Sequence, residues 1–155
     1  MYEKEKRSHF RRCAFKAMKL TENWSLHEIA HPDILATVGN RCADFLHPEL
    51  ANTCQALRDQ FGALFANGMF NGQLFTSSGL RLPLGHTGAM MSDHKFGCAV
   101  DLKSHTVTPI NMQNYIIMHQ DQFPYITRLE SALVTKTWLH VSVGTREGTI
   151  KIFNP

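Results

Sequence analysis

No apolar run in this 155-residue chain approaches the ~20 residues needed to cross a bilayer, so no membrane-spanning helix is expected. Low-complexity tracts, internal repeats and Pro/Gly/Ser-rich linkers are missing too, which argues against a repeat architecture and against several domains. The opening stretch MYEKEKRSHFRRCAFKAMKL mixes acids and bases and has neither the apolar segment nor the small-residue cleavage site of a secretory signal. Cytoplasmic synthesis without signal-directed export is the expectation. Cysteine is sparse and scattered. Cys13, Cys42, Cys54 and Cys98 stand singly, with no CxxC pair to suggest a zinc ribbon or a redox site, and are expected to be reduced and mostly buried.

What is present is an uneven charge. The formal net charge is only +3, yet Lys4, Lys6, Arg7, Arg11, Arg12, Lys16 and Lys19 crowd the first stretch. We expect a basic arm over residues 1–20 and a single domain over 21–155. Such an arm suits an anionic envelope or a partner protein and, more simply, the solvated face of a helix; nucleic acid is not an expected partner.

Along the body, LTENWSLHEIA reads as a short turn or helix with Thr21 as N-cap, laying Trp24 and Ile29 against the core. The next stretch, HPDILATVGNRCADF, has no decisive pattern. HPELANTCQALRDQFGALFANG predicts a helix with Pro48 at its first position. Leu50, Cys54, Leu57, Phe61, Leu64 and Phe65 would form its buried face and Gly68 its C-terminal cap. Beyond Gly72 come short β-rich pieces, QLFTSSGLRL, GCAVDLK, YITRLE, TWLHVSVG and GTIKIF, separated by turn residues. The predicted class is α+β, with N-terminal helices packed on a small antiparallel sheet.

Two strands carry side chains out of keeping with their neighbours. In HKFGCAVDL, Gly97, Cys98 and Ala99 permit close backbone approach, and Asp101 alternates with Val100 and Leu102. In TWLHVSV, His140 alternates with Leu139 and Val141 and shares a strand face with Trp138 and Ser142. Burying a carboxylate there is costly unless a cation or several donors meet it. His94, Asp101 and His140 make a two-histidine, one-carboxylate set, which suits zinc with an open fourth position. Non-haem iron uses the same donors, and a turn aspartate with two unrelated histidines would give the same spacing.

SDHKFGCAVD followed by WLHVSV resembles the SxHxxGxAxD and WxH signatures of the zinc D-alanyl-D-alanine peptidases, a family that includes phage endolysins and shares its fold with the hedgehog signalling domain. The likeness runs from about Trp24 to Val143 and takes in the SSGLR segment. It implies that His94, Asp101 and His140 bind Zn2+, that Ser92 holds the first ligand from behind, and that Arg81 sits near the substrate carboxylate or the developing oxyanion. Two positions depart from the pattern. Where many relatives have a catalytic acid three residues before the last histidine this chain has Thr137, and where some have a second histidine it has Trp138. Hedgehog-like members place the glutamate on a neighbouring strand instead, and Glu130 fits that pattern if ITRLE and TWLHV are antiparallel partners. His86 and His105 flank the motif and are assigned no role.

The resemblance thus implies a phage-encoded zinc peptidase that cleaves peptidoglycan peptide, released by a holin or carried in the virion, where the arm would meet other virion proteins. The alternative, prompted by Thr137 and Trp138, is a virion structural or decoration protein that keeps the fold without catalysis.

Overall fold

A computed structural model describes residues 18–84 and 88–154, so the basic arm, up to residue 17, and His86 lie outside the described residues. Its last residues belong to the body: Lys19 forms a β-bridge with Ser25, and Leu20 packs against the core. Ser25, not Thr21, opens the first helix, α1 (Leu26–Ile29). The Glu28 carboxylate accepts from the Ser25 amide at 2.8 Å and from its hydroxyl at 2.6 Å, closing a capping box. Thr21 instead donates to the side chain of Gln55. Trp24 and Ile29 are buried as their pattern predicts.

The undecided stretch becomes α2 (Pro32–Val38) followed by a 3-10 segment, Gly39–Phe45. Helix α3 (Leu50–Phe61) is shorter than expected at both ends. Pro48 lies in the preceding turn, and Gly62, at φ +79°, ends the helix where Gly68 was expected to. Leu50, Cys54 and Leu57 form its fully buried stripe, and Leu64 is buried from beyond the helix end. Arg58 ties α3 to α1: its guanidinium lies 3.7 Å from the Trp24 ring centre and 3.1 Å from the Glu28 carboxylate.

A hairpin follows, β1 (Gly68–Phe70) and β2 (Gln73–Phe75), turning at Asn71 and Gly72, both with positive φ. The main sheet comprises β3 (Ala99–Leu102), β4 (Ile126–Glu130), β5 (Leu139–Val143) and β6 (Lys151–Phe153), in the order β3-β5-β4-β6. Two expectations need correction. The sheet is mixed, because β6 runs parallel to β4. The helices do not all precede it either, since α4 (Pro109–Met118) is inserted after β3. Thr108 caps that helix through Asn111, Pro109 occupies its first position, and Met112 and Ile116 enter the core.

The sheet has two faces with different work. Val100, Leu102, Leu129, Leu139, Val141 and Val143 join α3 and α4 in one apolar cluster. The opposite face carries Asp101, Arg128, Glu130, His140 and Ser142, following the period of two along each strand. A bulge between Ile126 and Arg128 adjusts β4 so that Ile126 and Leu129 both reach the core while Arg128 comes opposite Ser142.

Candidate metal centre

Asp101 and His140 are direct cross-strand partners in the β3–β5 ladder. Two strand fragments that look unrelated in sequence are therefore neighbours, and side chains directly opposite are expected to meet. His94 arrives from outside the sheet, on the 3-10 segment Asp93–Phe96. Gly97 ends that segment in the left-handed region, at φ +67°, and passes so close to the chain that an added Cβ would lie 1.9 Å from the Phe45 carbonyl oxygen. Gly79 makes a similar approach, with a Cβ there 2.0 Å from the Ile29 carbonyl oxygen. These two glycines let the segments beside His94 pack directly against the backbones of α1 and of the 3-10 segment that ends at Phe45.

The three side chains converge. His94 Nε2 is 3.2 Å from Asp101 Oδ1 and 3.1 Å from His140 Nδ1, and His140 Nδ1 is 2.8 Å from the same carboxylate oxygen. All three residues are buried. The outward ring nitrogens decide what this contact means. His94 Nδ1 faces the Gly79 carbonyl oxygen at 2.9 Å, an atom that can only accept, so Nδ1 carries a proton. His140 Nε2 faces the Ser142 hydroxyl at 3.0 Å. A hydroxyl can accept as well as donate, so a neutral His140 ring can carry its proton on Nε2 and leave Nδ1 to the cluster.

Neutral rings with these tautomers aim two nitrogen lone pairs and one carboxylate oxygen at a common point. Acceptors so arranged repel unless a cation or extra protons lie between them. Tetrahedral zinc ligands at about 2.1 Å from the ion stand about 3.4 Å from one another, so the triangle needs to open by only a few tenths of an ångström to receive one. The buried His94/Asp101/His140 cluster can hold a metal ion. When protonated imidazoles take the ion's place, burial pushes the Asp101 carboxyl up, but hydrogen bonds from His140 and His94 outweigh it and hold the group well below the usual carboxylate range.

Arg81 is brought to the same point: Nη2 donates to Asp101 Oδ2 at 2.9 Å, and Nε to the Ser77 carbonyl at 2.6 Å. Asp101 thus offers one oxygen to the cluster and the other to a fixed guanidinium. Glu130 is also adjacent, with Oε2 4.0 Å from His140 Nδ1. Strands β4 and β5 are antiparallel, as the placement of Glu130 requires. Burial pushes its carboxyl above the ordinary value, with Asp101 adding to the rise and the neighbouring cations opposing it.

Ser92 directly precedes the 3-10 segment that carries His94. Among the described residues no hydrogen bond joins its side chain to His94, and the Gly79 carbonyl does the holding. Thr137 is exposed and Trp138 half-buried, neither in contact with the cluster through any observed hydrogen bond among the described residues. His105 stacks on Phe70, with ring centres 4.3 Å apart, in a separate aromatic group.

Several neighbours were not foreseen. Ser142 could have been, since it lies two residues from His140 on the same strand face. Asp93 and Arg128 pair at 2.5 Å, and only the tertiary fold brings them together. Lys103, 2 % exposed, donates to Ser78 Oγ at 2.8 Å and the Ala66 carbonyl at 3.1 Å. Burial lowers its ammonium to about 8, although the Asp101 charge works the other way.

No family model, no curated protein and no solved structure matches the chain. The fold and the cluster therefore define a class on their own terms: an α+β protein with a buried two-histidine, one-carboxylate centre able to hold a metal ion.

Proposed function

We propose that this chain is a zinc-dependent peptidase of the D-alanyl-D-alanine peptidase type, with a hedgehog-like fold, acting on peptide bonds of bacterial cell wall. One observation carries the reading: three acceptor atoms within 3.2 Å of one another, next to a carboxyl group raised by burial and a fixed arginine. His94, Asp101 and His140 would hold the ion. Bound zinc supplies a Lewis acid and lowers the pKa of a water toward ~7.

The chain's own groups divide the remaining work. Glu130, half-buried and elevated, takes a proton at its carboxylate and returns it to the leaving amine. Arg81 offers a preorganised positive charge to the carbonyl oxygen as negative charge develops there. The Asp101 carboxylate keeps that guanidinium in place, so the anchor of the ion is also the anchor of the arginine. A cavity of about 290 Å³ with apolar walls, among them Phe45, Leu80 and Phe96, opens beside Arg81 and gives room for part of a peptide. This reading implies a phage-encoded enzyme delivered through a holin or aboard a virion.

The test is to measure zinc in the purified protein and hydrolysis of purified peptidoglycan, with Glu130→Ala and His140→Ala beside the wild type. We expect one zinc per chain, turnover in the wild type, zinc without turnover in Glu130→Ala, and neither in His140→Ala. Zinc in the wild type without turnover on any cell-wall substrate would favour the alternative, a virion structural or decoration protein that retains the centre.

A further inference from the structure

Between Phe75 and Leu80 the chain has no helix or strand to fix it, yet three successive carbonyl oxygens of that segment each hold a different residue of the centre. The Ser77 oxygen accepts from Arg81 Nε at 2.6 Å, the Ser78 oxygen from the Asp101 amide at 2.6 Å, and the Gly79 oxygen from His94 Nδ1 at 2.9 Å. Two of the cluster's residues and the arginine beside them thus take their places from three adjoining peptide groups. The contacts that fix those peptide groups converge on Ser78, which is itself buried. Its amide donates to Asn67 Oδ1 at 2.8 Å, and its hydroxyl accepts from Lys103 Nζ at 2.8 Å. Asn67 is anchored to the end of α1: its Nδ2 donates to the Ala30 carbonyl at 3.0 Å and its amide to the Glu28 carbonyl at 2.8 Å. Lys103 also donates to the Ala66 carbonyl at 3.1 Å, and its Nζ lies 4.1 Å from the Phe75 ring centre.

On the premise that the cluster binds a metal, we infer that Lys103 and Asn67 form a clamp on Ser78 whose task is to set the Ser77, Gly79 and Ser78 carbonyl oxygens, and through them the relative positions of His94, Asp101 and Arg81. These are positioning residues: they act on the ion only through the residues that the segment holds. Every bond in the clamp has a fixed direction, because ammonium, guanidinium and backbone amide groups only donate and carbonyl oxygens only accept. A buried ammonium is costly to desolvate, and a methionine would fill the same space without that cost. What the lysine adds is its hydrogen bonds, and the one to Ser78 Oγ reaches the middle of the segment. Arg81 and His94 are joined a second time, the Arg81 amide donating to the His94 carbonyl at 3.1 Å, so a shift of the segment moves the arginine and the histidine together. Supports of this kind behind metal-ligating residues typically alter metal affinity by about 10- to 100-fold.

The experiment uses full-length 15N-labelled protein, metal-free and zinc-loaded, as wild type, Lys103→Met, Asn67→Ala, Ser78→Ala and, as a control for general stability, Leu57→Ala. Nitrogen–proton correlations of the metal-free protein follow the His94 Nδ1 proton. Its exchange is taken relative to the slowest backbone amides, so that a global loss of stability cancels. Competition with a chromophoric chelator gives the zinc affinity of the folded protein. In the three clamp variants we expect relative exchange to rise by about 10-fold or more and zinc affinity to fall by about 10- to 100-fold. In Leu57→Ala we expect no rise in relative exchange and an affinity within a few-fold of wild type. Wild-type exchange and affinity in either Lys103→Met or Asn67→Ala would overturn the clamp, since both sides of it are required, as would equal changes in Leu57→Ala. Faster exchange with undiminished zinc affinity would overturn its role at the metal. Should Lys103→Met or Asn67→Ala fail to fold, Ser78→Ala, where both contacts meet, carries the same comparison. A wild type that binds no zinc would defeat the peptidase reading, while the His94 proton in metal-free protein still decides the clamp.

Discussion

At the level of single residues, Asp101 concentrates the largest conflict in the molecule. Its carboxylate is almost wholly buried, yet it faces two imidazoles and a guanidinium, and these hold its proton affinity low. A carboxyl depressed in the folded state contributes stability that is complete above its unfolded pKa, about 4, and is lost as the pH falls toward the folded value. In metal-free protein, urea midpoints measured from about pH 6 down to pH 2 should therefore drop below about pH 4, and Asp101→Asn should flatten that part of the profile. The same variant should lose metal affinity, because an amide oxygen carries no charge to offset the ion. Cys54 gives an independent check on packing. Burial pushes its thiol up to about 12, so it should resist a thiol reagent in native protein at neutral pH and react only on unfolding, whereas of the three described cysteines the half-buried Cys98 should react first.

At the level of elements, the site depends on how closely the segment carrying His94 packs on the 3-10 segment Gly39–Phe45. The 3-10 segment that carries His94 ends at Gly97, where a methyl group would meet the Phe45 backbone and the positive φ adds strain. Gly97→Ala should destabilise the protein by about 2 kcal/mol or more, read as a lower urea midpoint, and should weaken metal binding beyond what the lost stability accounts for. Core truncation should separate the two effects. Leu57→Ala, on the far side of the sheet from the cluster, should cost about 2–5 kcal/mol and leave the affinity of the folded protein for zinc within a few-fold of wild type.

The elements also show what the sequence made legible. His94, Asp101 and His140 were readable because each interrupts an otherwise apolar or small-residue strand pattern, and the strands they imply are present. Glu130 was readable through the hairpin-like pairing of β4 with β5, which the structure contains. The outer nitrogen of His94 meets the Gly79 carbonyl rather than the Ser92 side chain, and backbone acceptors leave no mark in a sequence. Asp93 and Arg128 were invisible for a different reason: each looks like an ordinary surface charge until the fold sets them 2.5 Å apart. The missed helix α4 has apolar residues around much of its circumference, so its period is weak, and the parallel placement of β6 depends on a tertiary connection that local patterning does not encode.

At the scale of the whole molecule, the centre joins three separate elements: the 3-10 segment after residue 92, the first strand of the main sheet and the third strand in chain order. Anything that binds the assembled cluster but not the unfolded chain stabilises the fold by mass action. Zinc at 100 times its dissociation constant should add about 2.7 kcal/mol, and a chelator should remove it, read by thermal melts with and without the metal. His140→Ala should abolish the metal-dependent shift while keeping a cooperative transition. No helix among the described residues is long and apolar enough to cross a membrane.

The direct opposition of Asp101 and His140 in the β3–β5 ladder has a further consequence. A slip of one residue would turn every side chain of the moving strand to the other side, sending a ligand into the oily interior and an aliphatic residue toward the ion. Metal uptake is therefore a test of strand alignment. The zinc content of a refolded preparation, set against its total protein, counts the molecules that have assembled their sheet correctly.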